Sequence, residues 1–224
     1  MFKLCVFDMD GTVVNSIGDI AAALNRSLEK IGYKAHSEDA YYKMVGDGMA
    51  VLCRRAIGNA PEEEVQRLIA LYDADYKNNC CERSHIYDGM TDLIKRLKEK
   101  GIKCAILSNK PHPQLMEIAK VLFEDDMFDE ILGHTPDFAP KPDPASMLYL
   151  MDKMGYKQDE VVFIGDSNVD VQLGKAADVY TVGVTWGFRG EEELKSEGAD
   201  AIVNNADELY DVIVKQRRTA YKYI

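Results

Sequence analysis

The 224-residue chain lacks any apolar run close to the roughly 20 residues that a membrane-spanning helix needs. Its amino terminus reaches Asp8 after a short apolar stretch and lacks the apolar region and cleavage site of a secretory signal. Its five cysteines are odd in number, with no C-x-x-C pair and no Cys/His cluster at zinc spacing. We therefore expect a reduced, cytoplasmic chain without disulfides and without membrane association.

Basic residues are also in short supply. The 27 Lys and Arg residues against 38 Asp and Glu give a formal net charge of −11. A general binder of nucleic acid or of anionic membranes is normally basic, so neither is expected as a partner. A small anionic substrate stays compatible with this charge, because a local site can be positive on a negative body. With 46% apolar and 29% charged residues, we expect an ordinary globular protein, either a monomer or a homodimer.

Short apolar runs alternate with helical stretches along most of the chain. Runs bounded by Asp, Gly, Ser or Asn are typical of parallel strands buried on both faces. They are Phe2–Phe7, Ile102–Leu107, Val161–Ile164, Tyr180–Thr185 and Ala201–Val203. The intervening helices are predicted at Asp92–Lys100, Pro113–Phe123 and Pro144–Met154. This alternation predicts an α/β fold with a doubly wound, Rossmann-like parallel sheet.

One segment interrupts the alternation. Between about residues 17 and 81 no strand pattern occurs, and four successive helices are predicted, at Asp19–Ile31, Asp39–Met44, Met49–Ile57 and Glu62–Lys77. We therefore predict an α-helical domain, residues 16–83, inserted after the first strand. Residues 1–15 and 84–224 would form the α/β core around it.

Unusual polar residues stand where the predicted strands end. In an open α/β sheet, ligands bind beyond the carboxyl ends of the strands. The first strand is followed by Asp8-Met9-Asp10-Gly11-Thr12, the second by Ser108-Asn109, and the third by Gly165-Asp166-Ser167-Asn168-Val169-Asp170. Lys141 lies between prolines in a stiff loop. The topology should bring these groups to one edge of the sheet.

The spacing of Asp8 and Asp10 favours chemistry over a structural role. Side chains two residues apart on a strand point to the same side, about 6.6 Å apart along an extended chain. A single Asp after a strand is commonly a turn or N-cap residue. A pair followed by Gly11, with a second acidic cluster after another strand, instead suits two carboxylates with divided tasks.

These residues carry a resemblance to the haloacid dehalogenase superfamily. Its four motifs correspond to Asp8-x-Asp10-Gly11-Thr12, Ser108, Lys141 in Lys-Pro-x-Pro, and Gly165-Asp166-Ser167-x-x-Asp170. They occur in the family's order and spacing, and the resemblance covers essentially the whole chain. The predicted helical insertion matches the family's helical cap.

The resemblance implies a phosphatase mechanism. Asp8 would attack phosphorus and form an aspartyl-phosphate, and Asp10 would act as general acid and then as general base. Ser108 and neighbouring backbone N–H groups would hold phosphoryl oxygens, and the residues expected to bind substrate there are Thr12, Ser108, Asn109 and Lys141. Ser108 and Lys141 would thereby belong to the catalytic set.

Charge counting supports the cofactor that the resemblance implies. Ionised Asp8 and Asp166 with a phosphate dianion sum to −4, whereas Mg²⁺ and Lys141 supply +3. The resemblance assigns Mg²⁺ to the carboxylates of Asp8 and Asp166 and to the backbone carbonyl of Asp10. Asp170 would stand behind them, orienting Lys141 or a metal-bound water.

Within the family the chain is most similar to phosphoglycolate phosphatases. Supporting segments are Asp10–Ile20, Val45–Gly48 before a helix with Arg54 and Arg55, and Thr185–Arg189. Lys43, Arg54 and Arg55 are candidates to contact a substrate carboxylate, and Arg54 is the one predicted to bind substrate. The expected partner is a small phosphorylated metabolite. A phosphosugar mutase of the β-phosphoglucomutase type and a sugar-phosphate or pyrophosphate phosphatase are alternatives. A receiver-like module that is only phosphorylated is a further one, although it would need neither a cap nor Asp10.

Overall fold

The structure, a computed structural model, describes residues 2–215. The strands are β1 (Leu4–Phe7), β2 (Val14–Asn15), β3 (His85–Ile86), β4 (Lys103–Pro111), β5 (Glu130–His134), β6 (Val161–Gly165), β7 (Tyr180–Val184) and β8 (Ala201–Val203). The helices are α1 (Ile17–Lys30), α2 (Glu38–Tyr41), α3 (Met49–Ile57), α4 (Glu62–Asn79), α5 (Met90–Glu99), α6 (His112–Leu122), α7 (Ala145–Met154), α8 (Asn168–Ala176), α9 (Glu191–Glu197) and α10 (Ala206–Lys215). None of these helices combines the length and apolar character needed to cross a membrane.

Within residues 2–215, six strands form a parallel sheet in the order β5-β4-β1-β6-β7-β8. Both faces of β1 are covered, because Cys5 and Phe7 enter one hydrophobic cluster and Leu4 and Val6 enter the other. The predicted doubly wound α/β fold is therefore confirmed. Since the chain continues to opposite sides of β1, the crevice at its carboxyl end is a topological switch point.

Two strands differ from the prediction. The edge strand β5 was missed, because its half-buried sequence Glu-Ile-Leu-Gly-His is too short and mixed to form an apolar run. β4 does not end at Leu107 but continues to Pro111, with a shift in its pairing to β5 between these two residues. The extended backbone therefore carries Ser108 and the two residues after it beyond the apolar part of the strand.

Helices α1 to α4 follow each other between β2 and β3, close to the predicted bounds. β2 and β3 pair antiparallel, Val14 with Ile86 and Asn15 with His85, so the chain enters and leaves the helical segment side by side. The buried carboxylate of Asp19, in the first turn of α1, accepts hydrogen bonds from the backbone N–H groups of Arg83 and Ser84. Of the predicted core, residue 1 and residues 216–224 lie outside the described residues.

Candidate active site

A cavity lies between the carboxyl edge of the sheet and the helical segment. The sheet contributes, among others, Asp8, Ser108 and Asp166, and the helical segment contributes residues such as Gly46 and Tyr72. Each core residue sits at the end of an adjacent strand, β4, β1 or β6. The predicted gathering of these side chains at one edge is what the structure shows.

Asp8, Lys141 and Asp170 form a buried chain of charges. The Lys141 ammonium lies 2.7 Å from a carboxylate oxygen of Asp8 and 2.7 Å from one of Asp170. The second Asp170 oxygen accepts hydrogen bonds from the Ser167 hydroxyl, at 2.7 Å, and from the backbone N–H groups of Asp166 and Ser167. Asp170 is thus held in the first turn of α8 and holds Lys141 against Asp8.

Burial and mutual repulsion shape the charges of this group. Burial raises the pKa of Asp8 to about 7, although the nearby Lys141 ammonium opposes the rise. Burial, with the charges of Asp170 and Asp8, raises the pKa of Asp166 well above its usual range. Burial alone would lower the pKa of Lys141, but Asp170 and Asp8 outweigh it and the pKa is raised. Within the described residues, the Lys141 ammonium therefore lies among three buried carboxyl groups.

The donor set fits a hard divalent cation. Oxygen atoms of Asp8, Asp166 and Asp170 all lie within 4.8 Å of one another. Mg²⁺ prefers oxygen ligands and binds through one or two carboxylates. Among the described residues, four donors contact the Asp170 carboxylate, against one for Asp8 and two for Asp166. The carboxylates of Asp8 and Asp166 are therefore better placed to hold the ion.

Gly11 allows this close assembly. Its φ of +89° lies in the region that favours glycine, and a Cβ atom at this position would collide with the Asp166 carboxylate. Asp166 is further held by the backbone N–H of Phe188, at 2.6 Å, and by the Thr12 hydroxyl, at 3.4 Å. Thr12 was predicted to contact substrate, but its hydroxyl points to Asp166 and it does not line the cavity.

Asp10 has a cationic neighbour that the sequence interpretation missed. Its carboxylate accepts a hydrogen bond from the Ser16 hydroxyl at 2.5 Å and pairs with the Lys110 ammonium at 3.0 Å. The Lys110 side chain is 5% exposed, and its ammonium lies 4.7 Å from the centre of the Tyr76 ring. Burial disfavours the charge of Lys110, but Asp10 and Tyr72 together with Cys80 favour it, and the pKa of Lys110 is raised. A lysine two residues beyond Ser108 was the available signal.

Asn109 lines the cavity, but its amide group binds protein backbone. The side-chain oxygen of Asn109 accepts a hydrogen bond from the backbone N–H of Lys141, at 2.7 Å. Its side-chain nitrogen donates to the backbone carbonyls of Lys141, at 3.1 Å, and Gly46, at 3.2 Å. It therefore positions the Lys141 loop and joins it to the helical segment, rather than offering its side chain to a substrate. Ser108 also lines the cavity, and its hydroxyl oxygen accepts a hydrogen bond from the backbone N–H of Lys110.

The structure does not bring Arg54 to the cavity. Its guanidinium donates to the Ala60 carbonyl and pairs with Glu62, because the end of α3 turns it towards the start of α4, and it does not line the cavity. Arg189, after β7, lines the cavity instead. It donates to the carbonyls of Lys43 and Val45, at 3.3 and 3.1 Å, and so joins the core to the helical segment.

This site belongs to a known class of enzyme. A family model of haloacid dehalogenase-like hydrolases matches residues 5–184, and the chain belongs to that family. It is 31% identical, over 95% of its length and 98% of the relative, to the phosphoglycolate phosphatase of Haemophilus influenzae. The predicted enzyme class, a phosphatase hydrolase, is confirmed by this relationship.

Solved structures agree with the assignment. One from Lactobacillus delbrueckii subsp. bulgaricus matches with a TM-score of 0.91 and 28% identity, over 96% of this chain and 99% of the other. A predicted phosphoglycolate phosphatase from Haemophilus somnus matches with a TM-score of 0.88 and 29% identity, over 94% and 97% of the two chains.

Proposed function

We propose that the protein is a Mg²⁺-dependent phosphatase of small phosphomonoesters, with 2-phosphoglycolate as the first candidate substrate. The observation that carries the proposal is the buried contact between Asp8 and Lys141. It lies beside Asp166, at the carboxyl ends of three adjacent strands. The substrate assignment is supported by the relatives, whose names are phosphoglycolate phosphatase.

In the first half-reaction, an Asp8 oxygen attacks phosphorus and the ester P–O bond breaks, which leaves an aspartyl-phosphate. Asp10 gives a proton to the departing alkoxide oxygen. Lys141 and Ser108 stabilise the phosphoryl oxygens, as groups aimed at developing charge do. Asp8, Asp166 and the backbone carbonyl of Asp10 would hold Mg²⁺, which would supply further charge neutralisation for the phosphoryl group.

In the second half-reaction, Asp10 accepts a proton from water as the water attacks phosphorus. The bond between Asp8 and phosphorus breaks, and inorganic phosphate and free Asp8 result. The contacts from Ser16 and Lys110 hold the Asp10 carboxylate in one place for both transfers. Asp170 keeps Lys141 directed at Asp8 throughout.

We further propose that residues 16–83 act as a cap over the site. Gly46 contacts Asn109, and Arg189 reaches the carbonyls of Lys43 and Val45, so core and helical segment meet across the cavity. A closed cap excludes bulk water and limits the size of the leaving group. This arrangement favours small phosphorylated metabolites over phosphoproteins.

A panel of phosphate esters tests the proposal, with phosphate release measured in Mg²⁺ and after chelation. We expect Mg²⁺-dependent release, highest for 2-phosphoglycolate, with the Asp8→Asn variant as the blank. Equal turnover after chelation, or no release from any ester, would contradict it. Isomerisation of a sugar phosphate without phosphate release would instead indicate a mutase.

A further inference from the structure

The leaving-group side of the cavity is defined by Asp10. A general acid must lie beside the oxygen that it protonates, so the alcohol part of the ester sits next to this carboxylate. In 2-phosphoglycolate, a single CH₂ group separates the ester oxygen from the carboxylate. Any cation that recognises this carboxylate must therefore be a near neighbour of Asp10.

Among the described residues, the cations that line the cavity are Lys110, Lys141 and Arg189. Lys141 is held between Asp8 and Asp170, where the phosphoryl group is to be bound. Arg189 is directed to backbone carbonyls of the helical segment. Neither is placed beside Asp10 by any of these contacts.

Arginines of α3 are engaged away from the cavity. Arg54 pairs with Glu62, and Arg55 pairs with Asp47 at 2.6 Å and donates to the Met44 carbonyl. Among the cations that line the cavity in residues 2–215, Lys110 is therefore the one on the leaving-group side.

The surroundings of Lys110 suit anion binding. Its ammonium lies 3.0 and 3.2 Å from the two Asp10 oxygens and close to the Tyr76 ring, and Tyr72 and Leu52 add apolar wall to the same cavity. Within the described part of the chain, this ammonium donates hydrogen bonds to Asp10 alone. An ammonium has three N–H donors, so Lys110 can keep its hydrogen bonds to Asp10 and still donate one to a second anion. Burial strengthens such a contact because the local dielectric is low.

We infer that Lys110 is the specificity-determining residue that binds a carboxylate of the leaving group. It thereby selects phosphoesters whose alcohol carries a carboxylate close to the ester oxygen. This inference rests on the proposed phosphatase function. It places recognition on β4 of the core, where the ammonium is anchored by Asp10, and not on the arginines of the helical segment.

The test compares kcat/KM for 2-phosphoglycolate with kcat/KM for 2-hydroxyethyl phosphate, in which a neutral hydroxymethyl group replaces the carboxylate. The wild-type enzyme should prefer the carboxylate ester. In Lys110→Met this preference should fall about 10- to 100-fold, the range expected for losing a hydrogen bond between charged groups. Lys110→Arg should retain most of it. The control is Lys120→Met, an exposed lysine on α6, which should leave the preference unchanged.

The outcomes separate recognition from support of Asp10. If Lys110→Met slows both esters by the same factor, or if the wild-type enzyme shows no preference, the inference is wrong while the phosphatase proposal stands. If the wild-type enzyme hydrolyses no ester, the proposed function fails and the inference fails with it. Thermal unfolding checks that each variant is folded, and Lys110→Gln provides a second variant without the charge should Lys110→Met not fold.

Discussion

At the scale of single residues, the site is governed by crowding of buried carboxyl groups. Oxygen atoms of Asp8, Asp166 and Asp170 lie within 4.8 Å of one another, and the Lys141 ammonium lies 2.7 Å from Asp8 and from Asp170. An isolated buried charge is costly, so each carboxyl group here needs a proton, a cation or hydrogen-bond donors. The same crowding favours binding of a divalent cation. It also makes the stability of the metal-free protein depend on pH.

Replacing one carboxylate oxygen by an amide nitrogen, first at Asp8 and then at Asp10, should separate the proposed nucleophile from the proposed general acid and base. Asp8→Asn should abolish turnover, because an amide cannot form the aspartyl-phosphate. Asp10→Asn should lower kcat by about 10²- to 10⁴-fold, the usual contribution of a general acid or base. Steady-state kinetics with 2-phosphoglycolate measures both. Full activity of Asp8→Asn would rule out the covalent route.

The metal-free protein should lose stability as pH rises from 5 to 7. The pKa of Asp8 is raised to about 7 in the fold, so in this range the folded state holds a proton that the unfolded state has released. Stability is therefore greater at the lower pH, by about 2 kcal/mol for two pH units of one such group. Asp166 acts in the same direction.

Urea unfolding in the presence of a chelator, at pH 5 and pH 7, measures this difference. Carboxyl groups with lowered pKa, such as Asp75 and Asp129, lose their stabilisation only at more acidic pH and leave this window clear. The Asp8→Asn variant is the control and should show a smaller pH dependence. A metal-free protein more stable at pH 7 than at pH 5 would contradict the assignment.

At the scale of elements, the position of the helical segment depends on how its two connections meet. β2 and β3 pair by a few residues, and Asp19 adds a stronger link. Its carboxylate accepts hydrogen bonds from the N–H groups of Arg83 and Ser84 and from the Ser84 hydroxyl, at 2.5 to 3.1 Å. One side chain at the start of α1 thus holds the strand that returns to the core.

Asp19→Ala should destabilise the protein by about 3 kcal/mol, because it leaves the N–H of the buried Ser84 and the N–H of Arg83 without their acceptor. Urea unfolding followed by circular dichroism measures the change. Asp92→Ala is the matched control, since Asp92 also lies in the first turn of a helix, α5, but is exposed. It should change stability by less than about 0.5 kcal/mol. Equal effects of the two variants would show that the Asp19 contacts do not hold the connection.

At the scale of the whole molecule, the chain has a net charge of −11, whereas three cations of the part of the chain that the structure describes line the cavity. The excess negative charge near Asp8 is internal, and it should make folding responsive to Mg²⁺. A ligand that binds the folded state alone stabilises it by about 2.7 kcal/mol at one hundred times its dissociation constant. For a chain of this size, such a gain raises the melting temperature by about 5 to 10 °C.

Thermal unfolding with and without saturating Mg²⁺ tests this expectation. An Asp166→Asn variant should show a smaller rise, since it lacks one proposed ligand. The same rise in the variant and in the wild-type protein would place Mg²⁺ binding elsewhere on the acidic surface.

The fold and most of the site's membership were predictable because their signals are local. Apolar runs predicted five of the six strands of the main sheet, and polar residues after β1 and β6 marked its carboxyl edge. Parallel strands place their carboxyl ends together whatever the details of packing, so Asp8, Ser108 and Asp166 could be grouped without coordinates. β5 was missed because a half-buried edge strand lacks the apolar run that marks a central one.

The sequence by itself determined which elements form and which chemical groups stand at the strand ends, since both follow from neighbouring residues. Only the tertiary structure decided which side chains contact each other across the cavity. Lys110 and Asp10 are in contact although they are 100 positions apart in the sequence, and Asn109 contacts the helical segment through Gly46. Arg54 points away from the cavity to Glu62, whereas Arg189 lines the cavity and contacts Val45. Such contacts depend on strand register and on how the helical segment docks, and no local pattern encodes either.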